Sequence, residues 1–450
     1  GRAQSPSRWL LEEASRLKGS SVFTSTLFDL PETPWLVRIA SVQASFEAAS
    51  QATPADVHDY DVESISRWTG ANRSMRRHPL AQTTVLARAL DLERGRRSRT
   101  LTSWDGDVST AFAAGSGVDL TRRESHSATS LERWARCPFS YFLGNVLRIG
   151  KLDRPEEVAS ITALDRGSLV HDILEQFVRA VIAAGAVPRP GQPWGDEQRA
   201  VLFDIAGRAF RDAESNGVTG RALLWRLDRA DIEADLETFL EEDNSIRARF
   251  GASPMAVEAR FGMGDAGERG GWRPATIEIE GVGELQFRGM IDRVDAAPAG
   301  DELLVLDYKT GSSGQYGALK NDPVDRGRRL QLPVYALAAG GASDGATTVR
   351  AAYWFVSTRG GFKLVPESPV SLDELLGEFR SAVATIASGV HRGLFPANPG
   401  KDSRRSFENC GYCDFQSLCP SYRDVAWSRK RGDERLAAYV DLLKEEGAGS

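Results

Sequence analysis

Two acids and a lysine stand where chemistry is expensive to place. Phe287-Arg-Gly289-Met-Ile-Asp292 and Leu303-Leu-Val-Leu-Asp307-Tyr308-Lys309-Thr-Gly each carry an apolar run into an ionisable residue. A Pro/Gly/Asp turn separates the two runs, so they read as a β-hairpin. The second run is continuously apolar and predicts a strand buried on both faces. Ionised groups at the end of such a strand are costly unless they are paired or hold a metal. Period-2 geometry puts Asp307 and Lys309 on one face and Tyr308 on the other. Carboxylates on adjacent strands are the usual oxygen ligands of Mg²⁺ or Mn²⁺, which keep waters and accept phosphate oxygens. A lysine beside them can orient a water or offset charge on an attacked phosphate. The plain alternative is a structural Asp–Lys ion pair at a strand end.

Three further groups extend the pattern. His171 in Gly167-Ser-Leu-Val-His-Asp-Ile-Leu-Glu175 lies off the apolar stripe of a predicted helix, with Glu175 one turn later on the same face. It is either a satisfied surface histidine or a nitrogen donor completing a mixed N/O metal site. Gln331 and Tyr335, at i and i+4, share a helical face, as a surface pair or as contacts to the metal site and a DNA backbone. Arg328 and Arg329 precede that helix near its N-terminus, where phosphates are favoured.

The four cysteines fall in two places, Cys137 and Cys410-Gly-Tyr-Cys413-Asp-Phe-Gln-Ser-Leu-Cys419. A zinc ribbon would use two short pairs. A three-plus-one division suits a Cys₄ iron–sulfur cluster better, with zinc as the alternative. Either metal would staple a helix before the acidic hairpin to a loop after it, and its binding energy would be folding energy.

The chain has 450 residues, 41% hydrophobic and 26% charged, with a net charge of −6. That composition builds a core of about two to four domains and excludes a disordered or fibrous chain. The average charge argues against a generic nucleic-acid binder, yet residues 66–100 hold nine arginines against Asp91 and Glu93, a local excess of +7. That stretch is a solvated helical surface or a phosphate-contacting face, with Trp68 as a stacking side chain. No apolar run approaches the ~18 residues of a membrane span. Too few cysteines for a disulfide scaffold point to a reducing, cytoplasmic compartment. No Gly-x-x-x-x-Gly-Lys-Ser/Thr occurs, so no ATP-phosphate loop is expected in this chain. The start at Gly1 instead of Met suggests a fragment or a processed chain.

Helices are expected at Ser7–Glu13, Trp35–Ala49 and Gln82–Arg94. A helix opens at a Thr129/Glu132 capping box and ends by Cys137, before Pro138. A short one follows over Phe139–Leu147, then helices near Gly167–Ala184 and 197–245. Strands are expected at Ala256–Gly262, Thr276–Ile279, Leu285–Val294, Leu303–Tyr308 and Ala351–Ser357. Helices Leu330–Ala339, closed by Gly340-Gly341, and Leu372–Ser388 complete an α/β layer fold.

Cys137 with Pro-Phe-Ser-Tyr-Phe-Leu, Gly167-x-x-x-His171, Gly289-x-Ile-Asp292, Asp307-Tyr308-Lys309-Thr-Gly, Gln331-x-x-x-Tyr335 and Cys410/Cys413/Cys419 occur in order over about residues 127–425. Together they resemble the RecB/AddB-type nuclease domain of the PD-(D/E)XK superfamily in its iron–sulfur-stapled variant, as in AddB-like or mycobacterial AdnA/AdnB-like helicase–nuclease subunits. The resemblance implies a restriction-endonuclease-like mixed sheet flanked by helices, cleaving DNA with Mg²⁺ or Mn²⁺. It implies metal ligation by His171, Asp292, Asp307 and the Tyr308 carbonyl, with Lys309 as catalytic lysine. Gln331 and Tyr335 correspond to the family's motif-bearing helix, and the cysteines would hold a [4Fe-4S] cluster. Residues 1–126 would then be an Arg-rich helical region, the tail of a helicase-type domain, and 426–450 a C-terminal helix or tail. Expected partners are DNA and a helicase–nuclease subunit or an upstream motor, with no membrane. The rival readings are a stand-alone RecB-like single-strand exonuclease and a catalytically silent scaffold that binds DNA ends.

Overall fold

The computed structural model describes residues 6–31, 33–36, 44, 56–113, 117–122, 125–150, 159–263, 271–343, 345–403 and 406–444. The chain divides into two compact units, Gly1–Arg94 and Gly95–Ser450. In the first, α1 (Arg8–Lys18) is opened by Ser7, whose hydroxyl accepts from the Leu10 amide, and closed by left-handed Gly19. Ala14, Val22, Leu27 and Leu30 make a small core. Helix α2 (Val57–Gly70) is capped by Asp56, and α3 (Thr84–Arg97) carries much of the basic stretch. Several of its arginines are engaged: Arg67 with Glu63, Arg76 with Asp91. Trp68 is not a free platform, because Arg73 lies 4.9 Å over its ring and His78 packs against it edge-on. Most of the helix expected over Trp35–Ala49 falls outside the described residues.

The second unit is built on a five-stranded mixed sheet in the order β1 (Ser253–Phe261), β4 (Gly289–Ala296), β5 (Glu302–Lys309), β6 (Thr348–Phe355), β7 (Leu364–Ser371). The β4–β5 pair is the expected antiparallel hairpin, in register Arg293 to Leu306 through Ala296 to Leu303. Strands β5 and β6 are parallel, joined through helix α8 (Gln331–Ala342). Strands β2 (Ala275–Ile279) and β3 (Gly283–Phe287) form a separate hairpin. The single strand expected over Leu285–Val294 is thus two, interrupted at Arg288, because β3 pairs with β2 whereas β4 pairs with β1.

Alternation along β5 sorts the layers. Leu303 and Val305 join a core with helices α4 (Ala128–Arg136), α8 and α9 (Leu372–His391). Leu304, Leu306 and Tyr308 join the opposite core with α5 (Ala163–Ala183), α6 (Asp196–Ser215) and α7 (Ala222–Phe250). Each fully buried aliphatic side chain contributes about 1.5–3 kcal/mol. Asp307 and Lys309 therefore emerge on the face covered by α8, which brings Gln331 and Tyr335 to them.

Three local expectations are corrected. Helix α4 is capped by Ser127, whose hydroxyl accepts from the Ser130 amide, and Glu132 acts elsewhere. Gly340 and Gly341 lie within α8, which ends at Ser343. Strand β7 has no counterpart among the expected strands, since Val-Pro-Glu-Ser-Pro reads as loop; it is an edge strand, where proline is tolerated.

Residues after the last cysteine also enter the core of this unit. Helix α10 (Arg423–Lys430) ends in a buried ammonium that donates to the Ser98 hydroxyl (2.8 Å) and to the carbonyls of Gly95 and Thr100, and pairs with Asp105. In α11 (Ala437–Leu442), the buried Tyr439 hydroxyl donates to the Ala135 carbonyl and accepts from Asn398 (2.9 Å).

Candidate active site

Two glycines set the site's geometry. A Cβ at Gly289 would stand 2.8 Å from the Phe261 ring and 3.2 Å from Tyr335, so only glycine lets β4 start beneath α8. A Cβ at Gly167 would meet Thr310 at 3.3 Å, where α5 crosses the end of β5. The close approach at Gly167 brings His171, one turn later, to the Asp292 carboxylate at 3.5 Å.

Asp292 is the hub. Its Oδ2 accepts the Tyr308 amide at 2.6 Å and lies 3.5 Å from His171 Nδ1. The His171 ring meets the Tyr308 ring edge-on at 5.9 Å. Burial alone would lower the imidazole pKa, but the contact with Asp292 outweighs it and raises it. Asp307 is buried and paired with Lys309. Burial pushes its carboxyl up to about 6, with Asp292 adding to the rise and Lys309 opposing it. For Lys309, burial would lower the ammonium pKa, but the Asp307 partnership raises it. Lys309 Nζ donates to Gln331 Oε1 at 3.5 Å, and Gln331 Nε2 reaches the Tyr335 hydroxyl at 3.2 Å. The sequence-derived residues His171, Asp292, Asp307, Tyr308, Lys309, Gln331 and Tyr335 thus meet at one end of the sheet.

One residue of the site carries no sequence signal. Glu258 on β1 lies between the Val257–Arg293 and Ala259–Ile291 pairs, opposite Asp292. Ligand atoms of His171, Glu258 and Asp292 all fall within 4.8 Å of one another. Burial, then Asp292 and Glu175, push the Glu258 carboxyl up to about 7. Its backbone is left-handed (φ 48°), an uncommon conformation for a non-glycine residue that marks strain at functional positions. Glu258 lies in an ordinary strand with no motif around it, so only the ladder reveals it. An open groove of about 1130 Å³ runs from Glu258 and Glu175 past Arg179, Arg260 and Trp272.

Imidazole nitrogen with carboxylate oxygens is a hard donor set suited to a small divalent cation. Three such donors converging on one point, with two carboxylates crowded against each other, fit an ion of that kind.

Arg328 and Arg329 are placed differently from one another. Arg328 donates to Asp325 (2.8 Å) and Glu408 (2.6 Å). Arg329 lies 4.0 Å over the Tyr316 ring. Both line a groove of about 610 Å³ with Arg133, Arg136, Cys137 and Cys413.

The four cysteines are free thiols. Cys137 is pushed up to about 12, by burial above all, with the Ser140 and Asn398 backbone opposing and Cys419 and Cys413 adding to the rise. Burial raises Cys419 to about 11, and Cys413 and Cys410 add to it while Arg423 opposes. Cys137 and Cys413 line the same groove, and Cys419 lies close enough to act on Cys137 and to be acted on by Cys410 and Cys413. Asn409 ties it to α4 by donating to the Arg136 carbonyl at 2.8 Å.

A family model described as "PD-(D/E)XK nuclease superfamily" matches residues 125–420. Curated relatives include an ATP-dependent helicase/deoxyribonuclease subunit of Acetivibrio thermocellus, 27% identical over 48% of this chain and 18% of that protein. The same-named protein of Symbiobacterium thermophilum is 29% identical over 47% of this chain and 17% of its own length. That of Limosilactobacillus fermentum is 28% identical over 50% and 19%. The chain spans less than a fifth of the length of these relatives. No helix among the described residues is long and apolar enough to cross a membrane. The mixed sheet, the acids and lysine at its end, and a family match over more than half of its length agree: the chain belongs to the PD-(D/E)XK nuclease superfamily.

Proposed function

We propose that this chain is the divalent-metal-dependent DNA nuclease module of a helicase–nuclease that processes double-strand breaks in the cytoplasm. The observation that carries the reading is the convergence of His171, Glu258 and Asp292 beside the Asp307–Lys309 pair. The helicase context is supported by the relatives, which are ATP-dependent helicase/deoxyribonuclease subunits. In that context the motor and the partner protein lie outside this chain.

On this reading His171, Glu258, Asp292 and Asp307, with the Tyr308 carbonyl, hold Mg²⁺ or Mn²⁺. The bound ion would polarise the scissile phosphate and lower the pKa of a water. Asp292 keeps the Tyr308 backbone in register through the 2.6 Å bond from its amide. Lys309, held cationic by Asp307, offsets charge accumulating on the attacked phosphate. Gln331 and Tyr335 fix the lysine's direction. Arg329, and Arg328 on its open side, contact the DNA backbone near α8. The arginines of residues 66–100 supply a phosphate-contacting surface.

Cys137, Cys410, Cys413 and Cys419 hold a [4Fe-4S] cluster as a structural clasp. Two features support the clasp: the thiols sense one another across the fold, and their three-plus-one spacing suits iron better than zinc.

The test is incubation of the purified chain with linear single- and double-stranded DNA in Mg²⁺ or Mn²⁺. Strand-resolved gels should show cleavage that chelation stops. A folded protein that binds DNA ends and cuts neither substrate in either metal would make it a scaffold instead.

A further inference from the structure

Glu132 is a buried carboxylate to which neither the metal site nor the clasp assigns a role. It sits on α4, five residues before Cys137. Its Oε1 accepts the Leu330 amide at 2.7 Å, across nearly two hundred residues of sequence. Leu330 is the N-cap residue of α8 and has no side chain able to cap it, so Glu132 supplies an acceptor from outside. The next residue is Gln331, whose Oε1 receives Lys309 Nζ. Arg136, one turn along α4, adds a second tie by donating to the Arg328 carbonyl at 3.1 Å.

The tie needs an acceptor of this length and not a charge: a neutral amide oxygen at the same place would take the Leu330 N–H as well. Burial raises the Glu132 carboxyl pKa, while Arg136, the Leu330 amide, Arg329 and Lys309 oppose the rise. Its other oxygen, Oε2, lies 3.8 Å from an Arg136 guanidinium nitrogen, so the carboxyl sits beside a cation as well as the Leu330 amide.

On the other end, α4 is fastened to the cysteine loop. The Cys137 amide closes the helix on Arg133, and Asn409, next to Cys410, donates to the Arg136 carbonyl. A continuous chain of contacts runs from Cys410 through α4 and Glu132 to Leu330, Gln331 and Lys309.

We infer that Glu132 is a positioning residue that couples the cysteine clasp to the catalytic lysine by fixing the first turn of α8. The inference rests on the nuclease reading for its kinetic part and on the clasp reading for its iron readout. A displacement of order 1 Å at a reacting group can cost about a hundredfold in rate. Strand binding, which also draws on the arginines of residues 66–100, should be affected less than the rate.

The experiment compares the full chain with Glu132→Met, which keeps the side-chain length and removes the acceptor, and with Glu132→Gln, which keeps an acceptor. Glu132→Met should lower kcat on linear DNA by about tenfold to a hundredfold with KM within about twofold. Iron content and visible absorbance should be unchanged, and Glu132→Gln should restore most of the rate. Gln331→Ala alone should give a similar loss, and the double variant should be no slower than the slower single. Hydrogen exchange at the amides of Leu330, Gln331, Leu332, Val334 and Tyr335 should accelerate in Glu132→Met and not in Glu132→Gln. Unchanged exchange overturns the inference whether or not the wild type cuts DNA. So do iron loss in Glu132→Met, additive rate losses, or a Gln variant as slow as the Met variant. Wild-type inactivity in both metals would sink the nuclease reading instead, leaving the exchange result to decide the coupling.

Discussion

Glu258 and Asp292 face each other across the β1–β4 ladder, and their carboxylates converge with a His171 ring nitrogen inside 4.8 Å. Two like charges so placed repel unless a cation or a proton separates them. Replacing Glu258 by Gln should therefore weaken Mn²⁺ binding about tenfold to a hundredfold while raising the metal-free melting temperature. Calorimetric titration with Mn²⁺ and thermal scans check both. Unchanged Mn²⁺ affinity would remove Glu258 from the site.

The same crowding fixes a pH dependence. The folded carboxyls of Glu258 and Asp307 lie near 7 and 6, above their unfolded values. The metal-free folded state therefore binds protons more tightly than the unfolded one, and its stability falls as pH rises through that window. The His171 shift is also upward, so its contribution is present at low pH and is lost as pH rises. All three act in one direction. The metal-free melting temperature should drop between about pH 5 and about pH 8, and millimolar Mg²⁺ or Mn²⁺ should reverse the drop at the upper end. At subsaturating metal, nuclease activity should rise with pH as the ion displaces the Glu258 proton. A metal-free protein that gains stability over this range would contradict the assignment.

The clasp predicts a coloured protein. Preparations handled without oxygen should be brown and contain iron and sulfide, and Cys413→Ala should lose the colour and melt at lower temperature. A colourless protein with one zinc per chain under the same handling would replace iron by zinc.

The buried ammonium of Lys430 joins α10 to residues 95–105, with Asp105 as its partner. Breaking a buried pair on one side leaves the other charge uncompensated and costs about 3–5 kcal/mol. Lys430→Met should destabilise the protein by that order in urea denaturation, and truncation after residue 425 should do worse. A truncated chain as stable as the full one would show that this segment is peripheral.

Much of this arrangement is legible in the residues. The apolar runs ending in Asp292 and Asp307 announce the hairpin because burial on both faces leaves a period-free signature. The cysteine spacing groups residues that do influence one another: Cys413 and Cys419 raise the Cys137 thiol, and Cys410 and Cys413 raise that of Cys419. Glu258 stays hidden because its role depends on which strand pairs with β4, and that pairing spans the separate β2–β3 hairpin. Spacing alone makes Glu132 a capping-box member, whereas Ser127 caps α4 and Glu132 caps a helix remote in sequence. Strand β7 is obscured by prolines that an edge position tolerates. Long-range pairing, not local pattern, decides each of these cases.

The most direct measurement compares wild type with Asp307→Ala and Lys309→Ala on linear DNA in Mg²⁺ and Mn²⁺. Wild type should cut the DNA, and each variant should lose at least about two orders of magnitude of activity while keeping its circular-dichroism spectrum and iron content. Folded variants that cut as fast as the wild type would contradict the site, and a folded wild type inert in both metals would contradict the activity itself.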